Sequence, residues 1–254
     1  MNRTPAVRVV GRDPLPGTAP RPGTPEVWLL PDAAGYLRAR GPDTAHAVLA
    51  ADERRRAAAL RPARARTRYT AAHLLLHELL GAYLGRDPAS MTFVRERCPH
   101  CGAPHGRPLV ADAPLHFSLS RGGGPVLLAF GDAPVGVDAE AVPSASGAEE
   151  VARLLHPGER AELAALPAAD RPAACARCWT RKEAYLKGVG VGFASGPAEV
   201  RIGAGPWPVR NGPWWVVDLP LAVWVDGPAA VAACAYRERA AGVVRWWRRR
   251  GRGG

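Results

Sequence analysis

Between residues 26 and 236 the chain runs twice through one order of patterns, helical stretches followed by short strand-like runs, and a chain so arranged buries its apolar faces as layered α+β structure. In the first pass a strand at 26–30 is closed by Pro31. Helix-forming residues at 52–60 follow and Pro62 interrupts them. A second helix at 66–84 carries Leu75, Leu76, Leu79, Leu80 and Tyr83 at helical spacing before Gly85 stops it. Strand-like runs at 91–94, 115–119, 126–131 and 135–140 come next, punctuated by the glycines and prolines that turns require. The second pass has helical stretches at 149–155, 158–166 and 172–187, then strands near 214–218, 221–225 and 229–236. We read two similar α+β halves, residues 26–130 and 131–240, each with a small antiparallel sheet and with the ligand site in the cleft between them.

The balance of charge narrows the partners. Lys and Arg number 34 against 23 Asp and Glu, a net +11, which favours polyanions: nucleic acid, anionic lipid, a phosphorylated cofactor or an acidic protein. No apolar run approaches the roughly 18 to 20 residues of a membrane-crossing helix, so no membrane role is expected. Residues 1–25 are proline-rich without the apolar stretch of a signal peptide, and read as a disordered leader on a cytoplasmic protein. Arg245, Arg248, Arg249, Arg250 and Arg252 flank Trp246 and Trp247, so 241–254 reads as a solvated, disordered basic tail. Five cysteines, an odd number without a secretion signal, are expected to be reduced. Cys98/Cys101 and Cys175/Cys178 form two C-x-x-C pairs, in outline a zinc pattern. Their separation far exceeds the roughly 15 to 20 residues of a zinc ribbon, and the second pair sits in a helical stretch where thiols pack as core residues. Packed or incidental thiols are the expectation.

Two constellations carry chemistry. In Val135-Gly136-Val137-Asp138-Ala139-Glu140 strand alternation puts Asp138 and Glu140 on one face. Carboxylates so placed need solvent, a basic partner or a hard cation such as Mg²⁺. The second runs Trp179-Thr180-Arg181-Lys182-Glu183-Ala184-Tyr185-Leu186-Lys187, then Gly188, Gly190 and Gly192. On a helix Glu183 and Lys187 are neighbours, with Lys182 about 100° around the axis. A surface salt bridge is the plain reading, but tryptophan and a glycine-rich exit are unusual company for a solvated face. The glycines follow a helix rather than opening one, which excludes a dinucleotide fingerprint and leaves a tight turn allowing close backbone approach.

The pairing of G-V-D-A-E with W-T-R-K-E-A-Y-L-K-G-V-G-V-G about forty residues later resembles the two signature motifs of the surfactin-type 4′-phosphopantetheinyl transferases, single chains of two pseudo-dimeric halves. Residues 101–108 resemble that family's C-G-x-P-x-G-K-P element and 117–120 its F-N-x-S-H segment, so the likeness covers most of 26–237 in the right order. The resemblance implies halves related by a pseudo-two-fold axis and a monomer. It implies Mg²⁺-dependent transfer, with Mn²⁺ as a substitute, of phosphopantetheine from coenzyme A to a serine of acyl- or peptidyl-carrier proteins of fatty-acid, polyketide or nonribosomal peptide synthesis, releasing adenosine 3′,5′-bisphosphate. Asp138, Glu140 and Glu183 would hold the metal, and Lys182 and Lys187 would contact phosphate oxygens. Arg107, Ser120 and Arg121 would bind the 3′-phosphoadenosine end, while Glu183, as base, and Lys187 would act in catalysis. Arg121 stands where the family commonly has histidine, and Arg107 where it has lysine; both keep a group able to bind phosphate. His73 and His77, four apart on a helix, would suit a metal, but without an H-E-x-x-H pattern they are expected to pack or to lie at the surface, and His105 and His116 lie near matched motifs. The competing readings are a nucleic-acid-binding module with zinc on the two cysteine pairs, and an inactive transferase homologue in which Arg121 blocks coenzyme A.

Overall fold

The computed structural model describes residues 4–122, 125–192, 196–221 and 229–237. Its first half runs β1 (Ala6–Val9), β2 (Glu26–Leu30), α1 (Ala33–Arg40), α2 (Pro42–Val48), α3 (Ala51–Ala59), α4 (Ala63–Leu84), a 3₁₀ turn at Pro88–Ser90, then β3 (Phe93–Arg95), β4 (Pro108–Val110), β5 (His116–Ser120) and β6 (Val126–Gly131). The second runs β7 (Val135–Ala141), α5 (Ala145–Ala152), α6 (Pro157–Ala164), α7 (Arg171–Val189), β8 (Val209–Asn211), β9 (Trp214–Asp218) and β10 (Ala230–Arg237). The fold is α+β. Its two sheets have the orders β1-β2-β6-β5-β4-β3 and β7-β10-β9-β8. In each, the strand that precedes the helices pairs antiparallel with the last strand, and the intervening strands extend outward in reverse order.

Strand alternation turns these sheets into a four-layer stack. Trp28, Leu30, Leu128 and Phe130 face α4, whose Leu75, Leu79 and Leu80 are fully buried, as an apolar stripe this wide requires. The opposite face of the same strands, Val27, Leu29, Leu127 and Ala129, packs on Val137, Ala139, Cys234 and Tyr236 of the second sheet. That sheet's far side, with Val216, Ala233 and Ala235, covers Ala184 of α7. Every residue of β6 is therefore buried. A polar thread crosses the first layer, where Trp28 Nε1 donates to Tyr83 Oη (2.9 Å) and Tyr83 Oη to Glu26 (2.9 Å).

Several expectations change. Residues 6–9, assigned to a disordered leader, pair in parallel with β2, so the first sheet is not wholly antiparallel. Val9 is what anchors them, through burial between the sheets. Helices α1 and α2 open the helical region that follows β2; α1 begins where Asp32 accepts from the Gly35 amide (2.9 Å), an N-cap. Strands β4 and β8, three residues each, are too short to show a period. The strand expected at 221–225 lies, beyond Leu221, outside the described residues, as does the basic tail.

One buried charge cluster ties α3 to α4. His77 is 1% exposed, with Nδ1 against Pro88 O (2.8 Å) and Nε2 against Glu53 Oε2 (2.9 Å), while His73 Nδ1 meets Glu53 Oε1 (2.8 Å). Both ring nitrogens of His77 face acceptors, so both carry protons. Burial opposes that charge, but the bonds to Glu53 and Pro88 outweigh it and raise the His77 pKa. Burial likewise opposes the Glu53 charge, yet the two histidines hold its carboxyl well below the usual range. A raised histidine pKa gives stability that is complete below about 6.5, the unfolded value, and is lost as pH rises through the folded one. The melting temperature is expected to fall as pH rises above about 6.5, and thermal scans of His77→Gln should show that slope flattened.

Candidate active site

The site begins with a contact that only glycine permits. A Cβ on Gly136 of β7 would lie 1.9 Å from Ala184 O and 2.5 Å from Gly188 N, and one on Gly188 would lie 2.6 Å from the Trp214 ring. Helix α7 therefore rests with its backbone against the strand, and the next turns of each element bring Asp138 and Glu140 opposite Glu183 and Lys187. Asp138 is 2% exposed. Its Oδ1 accepts from Lys187 Nζ (2.7 Å) and from Ser120 Oγ (2.9 Å), while its Oδ2 is buried without a hydrogen-bond partner. Burial, then the Asp138 charge, with Glu140 adding and Lys187 opposing, pushes the Glu183 carboxyl up to about 7. The charges of Asp138 and Glu140 both reach Glu183, although among the described residues the three acids are not a group whose oxygens all lie within 4.8 Å of one another.

Lys187 also lines a cleft of about 710 Å³ opening between its helix end and the first half. Arg56, Arg95, Arg121, His73 and His105 share the lining, against the acids Asp52 and Glu53. The Arg121 guanidinium sits 4.7 Å over the Tyr69 ring, which stacks on His73 at 4.0 Å. The cleft is built for an anion carrying several charges.

The model of the 4′-phosphopantetheinyl transferase superfamily matches residues 134–212, the span holding Asp138, Glu140, Glu183 and Lys187. Over that span the chain is similar to that superfamily's domain. It is similar to the 4′-phosphopantetheinyl transferase HetI of Nostoc sp. (strain PCC 7120 / SAG 25.82 / UTEX 2576), 34% identical over 154 residues, 58% of this chain and 62% of the relative. It is also similar to the 4′-phosphopantetheinyl transferase psf-1 of Bacillus pumilus, 36% identical over 93 residues, 36% of this chain and 40% of the relative. The chain thus spans less than two thirds of either relative's length.

Three residues expected at the cofactor are engaged with protein partners in this structure. Lys182 is 1% exposed and points to the far side of α7, where Nζ pairs with the fully buried Glu159 (2.8 Å) and donates to Val200 O. Arg181 beside it grips Asp218 with two bonds of 2.6 Å. Ser120 Oγ is spent on Asp138 and on the Ala139 amide (3.2 Å), so it orients the acid instead of facing the cleft. Arg107 borders the cleft, but its guanidinium donates to Gly188 O (2.5 Å) and Val189 O (3.3 Å) and pairs with Glu96 (2.5 Å). It caps the C-terminal carbonyls of α7, where a cation also suits the helix dipole. Arg121 is the assigned phosphoadenosine residue that remains exposed in the cleft. Arg68 of α4, within electrostatic reach of Glu140 and Arg121, was hidden from sequence by its arginine-rich surroundings.

The zinc pattern on two cysteine pairs dissolves. Cys175 and Cys178 are buried in the core beneath α7, with Cys175 Sγ bonded to Ala148 O (3.3 Å), and burial raises both thiols. Among the described residues no helix is long and apolar enough to cross a membrane.

Lys182→Met strands the Glu159 charge and should cost about 3–5 kcal/mol in urea unfolding. Gly136→Ala should lift α7 from the strand, costing about 1–3 kcal/mol or more in urea unfolding, as overpacking does.

Proposed function

We propose that this chain transfers the 4′-phosphopantetheine arm of coenzyme A to a serine of an acyl- or peptidyl-carrier protein, releasing adenosine 3′,5′-bisphosphate. The observation that carries the reading is Lys187, which lines the basic cleft and at the same time donates to Asp138 of the acidic strand. One side chain thus joins an anion-binding surface to a carboxylate cluster. Asp138, Glu140 and Glu183 suit Mg²⁺ or Mn²⁺, given the partnerless buried Oδ2 of Asp138 and the raised Glu183. Bound there, the cation would neutralise charge on the pyrophosphate oxygens.

Arg121 and Arg56 bind the nucleotide phosphates from the cleft wall, and the Tyr69 and His73 rings offer a flat surface beside them. Lys187 Nζ orients the pyrophosphate as charge develops on the leaving oxygen. A Glu183 carboxylate oxygen takes the proton of the attacking serine, a role suited by a pKa near the working pH. The repeated strand order of the two sheets supports a pseudo-two-fold pair of halves, complete in a monomer. Net positive charge suits an acidic carrier domain, and five free cysteines suit the cytoplasm. Arg121, its guanidinium carbon 4.7 Å over the Tyr69 ring, lines the cleft wall, which favours a phosphate contact over a blocked site.

Purified protein with Mg²⁺, coenzyme A and an apo-carrier should add the mass of phosphopantetheine to the carrier. Glu183→Ala should slow this by at least about a hundredfold. Intact carrier masses across fatty-acid, polyketide and nonribosomal-peptide carriers would overturn the reading.

A further inference from the structure

Ahead of Arg107, the loop of residues 96–107 between β3 and β4 has little apolar burial of its own. Its ends are tied by Glu96 and Arg107, with Glu96 N donating to Arg107 O (3.0 Å) and Gly106 N to Glu96 O (2.9 Å). Within it, Cys98-Pro99-His100-Cys101-Gly102 makes a tight turn. Gly102 N donates to Cys98 O (2.8 Å) at a φ of +74°, which glycine adopts without strain, and Cys98 N donates to Ala103 O (2.8 Å). The amides of His100 and Cys101 point at Cys98 Sγ. A second turn, His105 N to Ala103 O (2.8 Å), swings the imidazole back, so that Cys101 Sγ and His105 Nε2 are 3.0 Å apart. The ligand atoms of Cys98, Cys101 and His105 all lie within 4.8 Å of one another.

We propose that Cys98, Cys101 and His105 bind one Zn²⁺, which staples this loop. Two thiols and one imidazole on successive turns are the donor set that Zn²⁺ selects over hard cations, and C-x₂-C followed closely by His is within the spacing of structural sites. Cys98 is 1% exposed while Cys101 and His105 are open to solvent, which leaves water for the fourth position. The site differs from any pairing of Cys98/Cys101 with Cys175/Cys178, since the latter are sealed in another core. It is also separate from the carboxylates of β7 and α7. Its task follows from what the loop carries: His105 lines the cleft, and Arg107 caps α7 just ahead of Lys187's turn. Zinc binding displaces the thiol protons to solvent and involves no redox step.

The test is metal analysis of the full-length, untagged protein purified under reducing conditions. About one zinc per chain is expected, falling at least about tenfold in Cys101→Ser and in His105→Ala, with Asp138→Asn unchanged. Both substituted positions are exposed, so folding is expected to persist, and circular dichroism checks it. Independently, chelator-stripped wild type titrated with Co²⁺ should develop thiolate-to-cobalt charge-transfer absorption that the Cys101→Ser protein lacks. Wild type with neither zinc nor a cobalt band would overturn the proposal, as would zinc retained at the wild-type level by Cys101→Ser or a Cys98–Cys101 disulfide in the reduced preparation.

Discussion

Everything functional in this molecule depends on the backbone contact between Gly136 and the last turns of α7. A side chain at either surface would move the helix by the width of a methyl group, and Glu183 and Lys187 would no longer stand over Asp138. The contact works because the strand's other face is pinned: Val135, Val137 and Ala139 are locked between the sheets, so β7 cannot retreat. Interior packing is dense enough that a sub-ångström displacement there is felt by its neighbours. The geometry of the candidate site is set by the smallest residues in the motif, and the charged residues occupy positions the glycines leave open.

Charge is sorted across α7 by the helix period. Glu183 and Lys187 share the face toward β7, while Arg181 and Lys182 lie behind it, each satisfied by a dedicated acid, Asp218 and Glu159. Glu159 also accepts the amides of Ile202 (2.7 Å) and Gly203 (3.0 Å), so the pair is fully hydrogen-bonded and the desolvation of both charges is offset locally. Two of the three positive charges in this motif, Arg181 and Lys182, thus fasten α7 to its neighbours, and the third, Lys187, faces the cleft.

Periodicity made the longer elements legible: α4, α7, β6, β7 and β9 lie where the pattern of apolar residues put them. The short strands, β1 among them, depend on partners distant in the chain, which no local pattern reports. The acids of the site were legible because strand alternation and the i,i+4 rule specify faces. The same rule placed Lys182 about 100° from Glu183, and taken alone it separates Lys182 from the phosphate site; the motif likeness pulled it in. The contacts that Ser120 and Arg107 make in the fold were not legible, because orienting an acid and capping a helix are properties of tertiary neighbours. His105 stood beside a matched element, and only the fold of the loop brought its ring to the thiols.

Ser118 and Ser120 of β5 reach across the boundary between the sheets, accepting from the Val137 and Ala139 amides (3.1 and 3.2 Å). The strand bearing the acids is thus held by hydroxyls from the half that precedes it, through a connection only three residues long, 132–134. A break in that short link would leave two fragments, each presenting a bare apolar sheet to water, and neither able to aim Asp138 alone. They could regain the site only by finding each other, which makes this turn a natural point for splitting the protein into complementing halves.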